Sequence, residues 1–487
     1  MVEAREFGDA RSSVDPELEQ LLLDNGYYAN IIRVADGRRG LRASQRSYTN
    51  SVWTRDLDYA ISGYSYALGD MTVLRENIEL FLMRVSADGI APETIYIWGN
   101  QVVHENRQAW DSLPNLIRAV YVYVSKTGDF DFYLANRETV LRIGERIAAM
   151  DQDGDMLPDG ENFPYGYYDS LAKTEMHTYA IARFYGAYSE LAELEAIVGA
   201  DGSGWRERAR LLRAAFHRPL TAGGYWQEEQ SWPIAWHRSD GSYVNILETY
   251  SVFAALQNGL IGREDGQRYQ LLLQTLSEFL PEMLIGPSPL RLALGGYEPE
   301  MRRVVDPPVP LWMLDASAPW VVGQAVPAFT AAGERDAARQ VLAAYNDMAR
   351  RTNPPVLEFA AGDNARYGSG NSGDGGRTWD SAAWFLAVYR GHYGLEMTPL
   401  ALVIEPHPFL KLPAATVSTL SYQGALIQFE LNAANNGYRL NVDRPINAIL
   451  RPVANAPRLS LNGDAPAAEL ALRLEPGITY QVLSLPD

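Results

Sequence analysis

Cysteine is absent from the 487 residues, so disulfides, thiolate metal sites and cysteine nucleophiles are excluded. The six histidines are scattered, with no metal-ligand spacing such as H-E-x-x-H, which argues against zinc-assisted hydrolysis. No stretch reaches the ~18 uninterrupted apolar residues that a membrane helix needs. The opening MVEAREFGDARSSVDPELEQ has neither the apolar region nor the cleavage pattern of a secretory signal, so the expected compartment is the cytoplasm. Basic residues are in deficit, with 42 Lys and Arg against 60 Asp and Glu, for a formal net charge of −18. That balance repels phosphates and gives no basic footprint for nucleic acid. A neutral substrate fits it best. No nucleic acid or membrane partner is expected, and the oligomeric state has no signature in the sequence.

What is present is a chain that is 47% hydrophobic with 28 Tyr and 11 Trp, enough for a large core. Many of these aromatics stand beside charged residues, as in Trp53-Thr54-Arg55-Asp56 and Trp110-Asp111. Sugar sites use such a mixture, because flat rings cover the C–H face of a pyranose while charged groups bind its hydroxyls. Core packing is the alternative reading for each ring.

Apolar residues recur at three- and four-residue spacing over Met71–Val85, Leu113–Ser125, Arg137–Met150, His177–Val198, Gly204–Phe216, Gln267–Leu280, Glu334–Arg350 and Ser381–His392. The pattern predicts about eleven or twelve helices between residues 51 and 395. Long loops rich in Gly, Pro and Asp join them, and such loops on a helical scaffold carry function. The expectation is a mainly α fold, an (α/α)6 barrel or six-hairpin toroid whose inner helices point their ends at one pocket. An irregular bundle is the alternative; a solenoid needs repeats that the sequence does not show. Residues 1–50 read as an N-terminal cap or a few short strands. Residues 396–487 read as a small β-sandwich-like domain, with strands over Leu400–Ile404, Ala425–Leu431, Tyr438–Val442, Ala448–Val453, Leu470–Leu474 and Tyr480–Leu485.

Four stretches carry the candidate chemistry. In the first, Trp53 walls a site while Arg55 and Asp56 bind adjacent hydroxyls; the alternative is a helix cap with an ion pair. The quartet Trp53-Thr54-Arg55-Asp56 resembles the signature of glucoamylases, and similar quartets occur in glycogen-debranching enzymes, trehalases and related (α/α)6 glycosidases. In the second, Trp110 and Asp111 open a helix that ends at Thr127-Gly128-Asp129, again as in that superfamily; Asp111 is either an N-cap or a sugar ligand.

The third stretch runs from Asp151 through Asp153, Asp155 and Asp159 to Tyr168-Asp169. It resembles a segment of debranching enzymes and bile-acid-type β-glucosidases in which the aspartate before a long helix is the general acid. The resemblance makes Asp169 that acid, with Tyr168 and Glu175 beside the sugar; helix capping is the alternative for Asp169. Glucoamylases place a glutamate where this chain has Ala172, which argues against a plain glucoamylase. The alternating aspartates also suit calcium, but Met156 replaces the glycine and Asn162 the glutamate of an EF-hand. A hydrogen-bonded turn is the other reading, and no cofactor is otherwise expected.

The fourth stretch holds Glu358, a glycine-rich loop without phosphate-loop spacing, and Trp379. In inverting relatives a base glutamate precedes such a loop, so the resemblance makes Glu358 the catalytic base and Trp379 part of the sugar site. Asp374 and Asp380 are reserve candidates, and a loop ion pair is the alternative for Glu358.

Together these readings predict a glycoside hydrolase, exo-acting and inverting on an α-glucoside or related oligosaccharide. A retaining β-glucosidase-like enzyme, with Glu93 or Glu105 as nucleophile, or a rhamnosidase or mannosidase on the same scaffold is the alternative. A non-catalytic carbohydrate-binding protein and a phosphorylase complete the set.

Overall fold

The computed structural model describes residues 9–159, 170–171, 177–227, 230–284, 288–303, 309–361, 375–432, 436–453 and 456–485, apart from the single positions 35, 100, 239, 413 and 457. Helices dominate up to residue 392 and strands follow. The helices are α1 (Pro16–Leu22), α2 (Thr54–Ala67), α3 (Thr72–Leu82), α4 (Ser112–Thr127), α5 (Phe130–Ala148), α6 (Thr178–Ile197), α7 (Ser203–Phe216), α8 (Thr249–Gln257), α9 (Gln267–Glu278), α10 (Leu280–Met283), α11 (Val322–Ala331), α12 (Arg335–Arg351) and α13 (Thr378–Phe385).

Six of these are buried and pack in sequence. Helix α2 lies against α4, α4 against α6, α6 against α8, α8 against α11, α11 against α13, and α13 returns to α2. Every residue of α2 except Arg55 is buried. The α2–α13 approach is closer than any side chain allows, since a Cβ on Gly63 would stand 2.1 Å from the Ala382 carbonyl oxygen. Helices α5, α7 and α12 pack outside α4, α6 and α11. They bury one face only, as their periodicity predicts. Thr127-Gly128-Asp129 is the corner between α4 and α5: Gly128 ends α4 at φ 69°, and the Asp129 carboxylate caps α5 by accepting from the Phe132 amide.

A recurring clamp fixes where four buried helices begin. Thr54, Thr178, Thr249 and Thr378 are the first residues of α2, α6, α8 and α13. Each donates its amide to one backbone carbonyl, namely Glu93, Ala235, Leu292 and Ala43, at 2.9, 2.9, 2.9 and 3.2 Å. Each hydroxyl donates to the carbonyl just before, on Pro92, Ile234, Arg291 and Arg42. First-turn amides have no partner inside their own helix, so these contacts satisfy a real deficit. The first three clamps come from the chain that follows the same helix pair. The fourth comes from residues 42–43, ahead of α2, so the N-terminal region takes part in closing the ring. Helix α1 and the turn at Leu23–Tyr27 also pack on α13, where the Tyr389 hydroxyl donates to Glu19 at 3.1 Å.

The C-terminal region forms two sheets. In the antiparallel six-stranded sheet the order is Arg11–Ser12, Ala415–Tyr422, Ala425–Asn432, Gly437–Val442, Tyr480–Leu485 and Arg458–Leu461. The four-stranded sheet holds Leu395–Met397, Leu402–Ile404, Ile446–Leu450 and Leu470–Leu474, with one parallel pair, Leu402–Ile404 beside Ile446–Leu450. The predicted C-terminal β region is present. Ala415–Tyr422 carries no clean alternation because its register shifts between Val417 and Leu420, where Thr419 adopts φ 57°.

Candidate active site

Side chains at the starts of the six buried helices touch one another around the ring, so all six begin at the same end. Arg55 on α2 grips Asp111, before α4, with two bonds of 2.7 and 3.1 Å. Trp110 meets His177, before α6, edge-on at 5.0 Å. Tyr179 on α6 packs on Tyr250 of α8 at 5.6 Å, and Tyr250 on Trp320, just before α11, at 6.0 Å. Trp320 stacks on Trp379 of α13 at 5.3 Å and 12°. Arg377 completes the circuit, 3.8 Å from Asp56 of α2.

Two charged groups stand on this end. One is the Arg55–Asp111 pair, in a bidentate geometry that fixes both planes. Asp111 makes no side-chain cap to its own helix, so pairing with Arg55 is its observed role. The other is centred on Arg377, buried to 4% exposure. It forms an ion pair with Glu358, faces Asp56, and lies over the Tyr48 ring at 4.6 Å. The adjoining carboxylates push its guanidinium further up. Asp380 is fully buried nearby, and desolvation together with Glu358 raises its carboxyl well above the usual range. Burial thus disfavours the charged form of Asp380, while Asp56 and Glu358 both face Arg377.

The floor beneath these charges is aromatic. The Tyr59 ring lies 5.7 Å from Trp320 and 5.4 Å from Trp379. Its hydroxyl pairs with that of Tyr179 at 3.1 Å and accepts from Gln324 Nε2 at 3.0 Å. Glu248, before α8, accepts from Tyr297 at 2.6 Å and from Ser251.

The sequence-predicted residues fall into three groups. Arg55, Asp56, Asp111, Glu358, Trp110 and Trp379 all belong to this circuit of contacts. Trp53 sits at its edge, its ring nitrogen donating to Ser51 at 2.9 Å and its ring 5.7 Å from Tyr48. Tyr168, Asp169 and Glu175 lie outside the described residues. Of the alternative nucleophiles, Glu105 pairs with Arg84 and Arg107 at 3.0 and 2.6 Å, and Glu93 is buried. The Asp151, Asp153 and Asp159 carboxylates approach within 4.8 Å of one another. They accept amide bonds from Gly154, Met156, Asp155 and Gln152, which is the geometry of a hydrogen-bonded turn.

Sequence reasoning did not single out Arg377, Tyr59, Tyr250 or Trp320. A signal for Arg377 exists: Arg377-Thr378-Trp379-Asp380 is the quartet Trp53-Thr54-Arg55-Asp56 with the Arg and Trp exchanged. Both quartets open a buried helix, and α2 and α13 are neighbours.

No protein-family model matches the chain, and no curated protein matches it either. Solved structures do. An α-L-rhamnosidase from Streptomyces avermitilis complexed with L-rhamnose is similar at a TM-score of 0.62 and 14% identity, over 98% of this chain and 42% of its own. An α-L-rhamnosidase from Dictyoglumus thermophilum is similar at 0.63 and 13%, over 98% and 50%. A GH63 mannosylglycerate hydrolase from Thermus thermophilus in complex with glucose is similar at 0.54 and 12%, over 76% and 98%. The chain thus spans half or less of the two rhamnosidases and nearly all of the third protein. Among the described residues no helix is long and apolar enough to cross a membrane. At these identities the likeness establishes a shared fold alone.

Proposed function

We propose that this protein is an exo-acting glycoside hydrolase whose catalytic end is the one where the six buried helices begin, and that those helices form an (α/α)6 toroid. Residues 51–395 are read as the toroid and residues 396–487 as its β companion. The observation that carries the reading is the convergence of Glu358, Asp56, Arg377 and the Arg55–Asp111 pair above the Tyr59, Trp320 and Trp379 floor. Such a surface binds a neutral sugar by its C–H face and its hydroxyls together.

In the proposed reaction Glu358 takes a proton from water as that water attacks the anomeric carbon. Asp169 gives its proton to the leaving oxygen. Inversion by such a pair requires the two carboxyls to stand about 6.5–9.5 Å apart. Arg377 holds Glu358 in place, while Arg55, Asp56 and Asp111 hold the terminal ring. Every step uses this chain's own side chains and water, with no cofactor. Overlap with α-L-rhamnosidases along 98% of the chain supports an α-L-rhamnoside as the first substrate to try. The quartet at Trp53–Asp56 supports an α-glucoside as the second.

The test is a panel of aryl and disaccharide glycosides assayed with wild type, Asp169→Asn and Glu358→Gln. At least one glycoside should turn over, with kcat falling about 10²–10⁴-fold in each variant. Near-normal kcat in both variants sinks the assignment. Sugar binding without turnover across the panel favours a non-catalytic binding protein, and turnover that requires phosphate favours a phosphorylase.

A further inference from the structure

A cavity of about 370 Å³ lies at the opposite end of the ring, between the last turns of α8 and α11, the helical segment Leu386–His392 that follows α13, and the C-terminal sheets. It adjoins a second cavity of about 150 Å³, with which it shares Gln257, Arg390 and Glu396. The larger volume lies in the range of small-molecule sites, roughly 300–1,000 Å³. Nothing in the proposed catalysis uses it.

Its chemistry is specific in three respects. Three arginines (Arg263, Arg390 and Arg451) face three glutamates (Glu264, Glu396 and Glu405) across its wall. These charges are paired: Arg451 with Glu405 at 3.0 Å, Arg263 with Glu405 at 3.6 Å, Arg390 with Glu396 at 2.5 Å, and Glu264 with Arg213 at 2.9 Å. His407 is buried and its imidazole is pushed down to about 4, so it adds no charge near neutral pH. A wall of balanced pairs offers no net field to an ion.

Second, uncharged polar side chains line it beside the ion pairs: Gln257, Gln324 and the neutral His407. Amide and imidazole groups of this kind suit a ligand's hydroxyls. Third, one side is apolar, built from Leu256, Ile261, Pro327, Ala328 and Val403. An uncharged ligand with several hydroxyls and a C–H face meets all three conditions.

We propose that this cavity is a second binding site, for a neutral saccharide of one or two rings, apart from the catalytic end. Gln324 links the two ends. Its Nε2 donates to the Tyr59 hydroxyl at 3.0 Å, and its side chain is part of the cavity lining. Occupancy therefore reaches the aromatic floor through one side chain. The inference does not rest on cleavage, because its readout is binding.

The experiment is calorimetry, with saturation-transfer NMR, of D-glucose, L-rhamnose and maltose on wild type, with inorganic phosphate as the charged probe. Wild type should bind one of the sugars at two sites. Ala328→Phe, which fills the cavity, should remove one of them, and Gln257→Leu, which deletes an acceptor at similar size, should weaken the same site about five- to tenfold. Unchanged thermal melting confirms that both variants fold, and Gln257→Leu alone decides should Ala328→Phe misfold. If the catalytic end binds no sugar, wild type shows a single site that Ala328→Phe still removes. Sugar binding that both variants leave untouched overturns the proposal, as does no sugar binding at millimolar concentration, or phosphate binding that Ala328→Phe abolishes.

Discussion

The two ends of the helical ring are built from the same six helices and handle charge in opposite ways. Where the helices begin, acids gather: Asp56 and Asp380 in the first turns of α2 and α13, Asp111 and Glu248 at the caps of α4 and α8. Helix N-termini carry partial positive charge, so this is the end at which carboxylates are least costly to collect. Arg55 then grips Asp111, and Arg377 faces Asp56, across helix boundaries. Where the helices end, arginine and glutamate are matched in number around the cavity. Between the ends runs a buried network in which Arg183 pairs with Asp58 and donates to Asn115 at 2.8 Å, and Arg118 bridges Asp58 at 3.6 Å and Glu190 at 2.6 Å. Burial pushes the Glu190 carboxyl up to about 7. The lesson is that one end gathers acids around two arginines, while the other matches arginine and glutamate in number.

That contrast predicts unequal responses to deletion of an arginine. Arg377→Met strips a buried cation from Asp56 and Glu358. It should lower kcat on any cleaved glycoside by about 10²-fold or more and cost about 3–5 kcal/mol in urea unfolding. Arg451→Met at the other end breaks a partly exposed pair and should cost no more than about 1 kcal/mol. Equal losses would erase the distinction. Arg55→Ala comes next: if Arg55 holds sugar as proposed, in ground and transition states alike, KM should rise about 10- to 100-fold with a smaller change in kcat.

A third prediction concerns Glu19, which ties the N-terminal region to the ring and whose carboxyl burial raises to about 7. The folded state keeps this proton up to about 7, whereas the unfolded chain releases it near 4.5. Its contribution is therefore fully present below pH 4.5 and is lost as the pH rises through 7. Relative to Glu19→Gln, wild type should lose about 2–3 kcal/mol between these limits. A pH-independent difference in urea midpoints contradicts it. A modest effect is expected at the clamps. Thr249→Val should cost about 0.5–2 kcal/mol with little change in kcat, whereas Thr54→Val, adjoining Arg55, should lower both stability and kcat.

Much of the helical body is legible in the sequence, and the outer helices most of all, because α5, α7 and α12 bury a single face. Helices α8 and α11 are harder to read. Nearly every residue of α8 is buried, so no polar face marks its period, and α11 contains Pro327. The clamps are invisible to a search for repeats, since only one threonine recurs and its partners are backbone carbonyls. The site shows the same division. Arg55, Asp56, Asp111 and Glu358 announce themselves by residue type beside aromatics. Arg377 and the Tyr59–Trp320–Trp379 floor emerge only when distant segments meet, because aromatic packing has no local spacing to betray it.

The most direct single measurement is NMR of the first-formed anomer during cleavage of an α-L-rhamnoside or α-glucoside. With Glu358 as the base, the product should appear first as the β-anomer and mutarotate afterwards. Appearance of the α-anomer first would mean retention, and would remove Glu358 from that role.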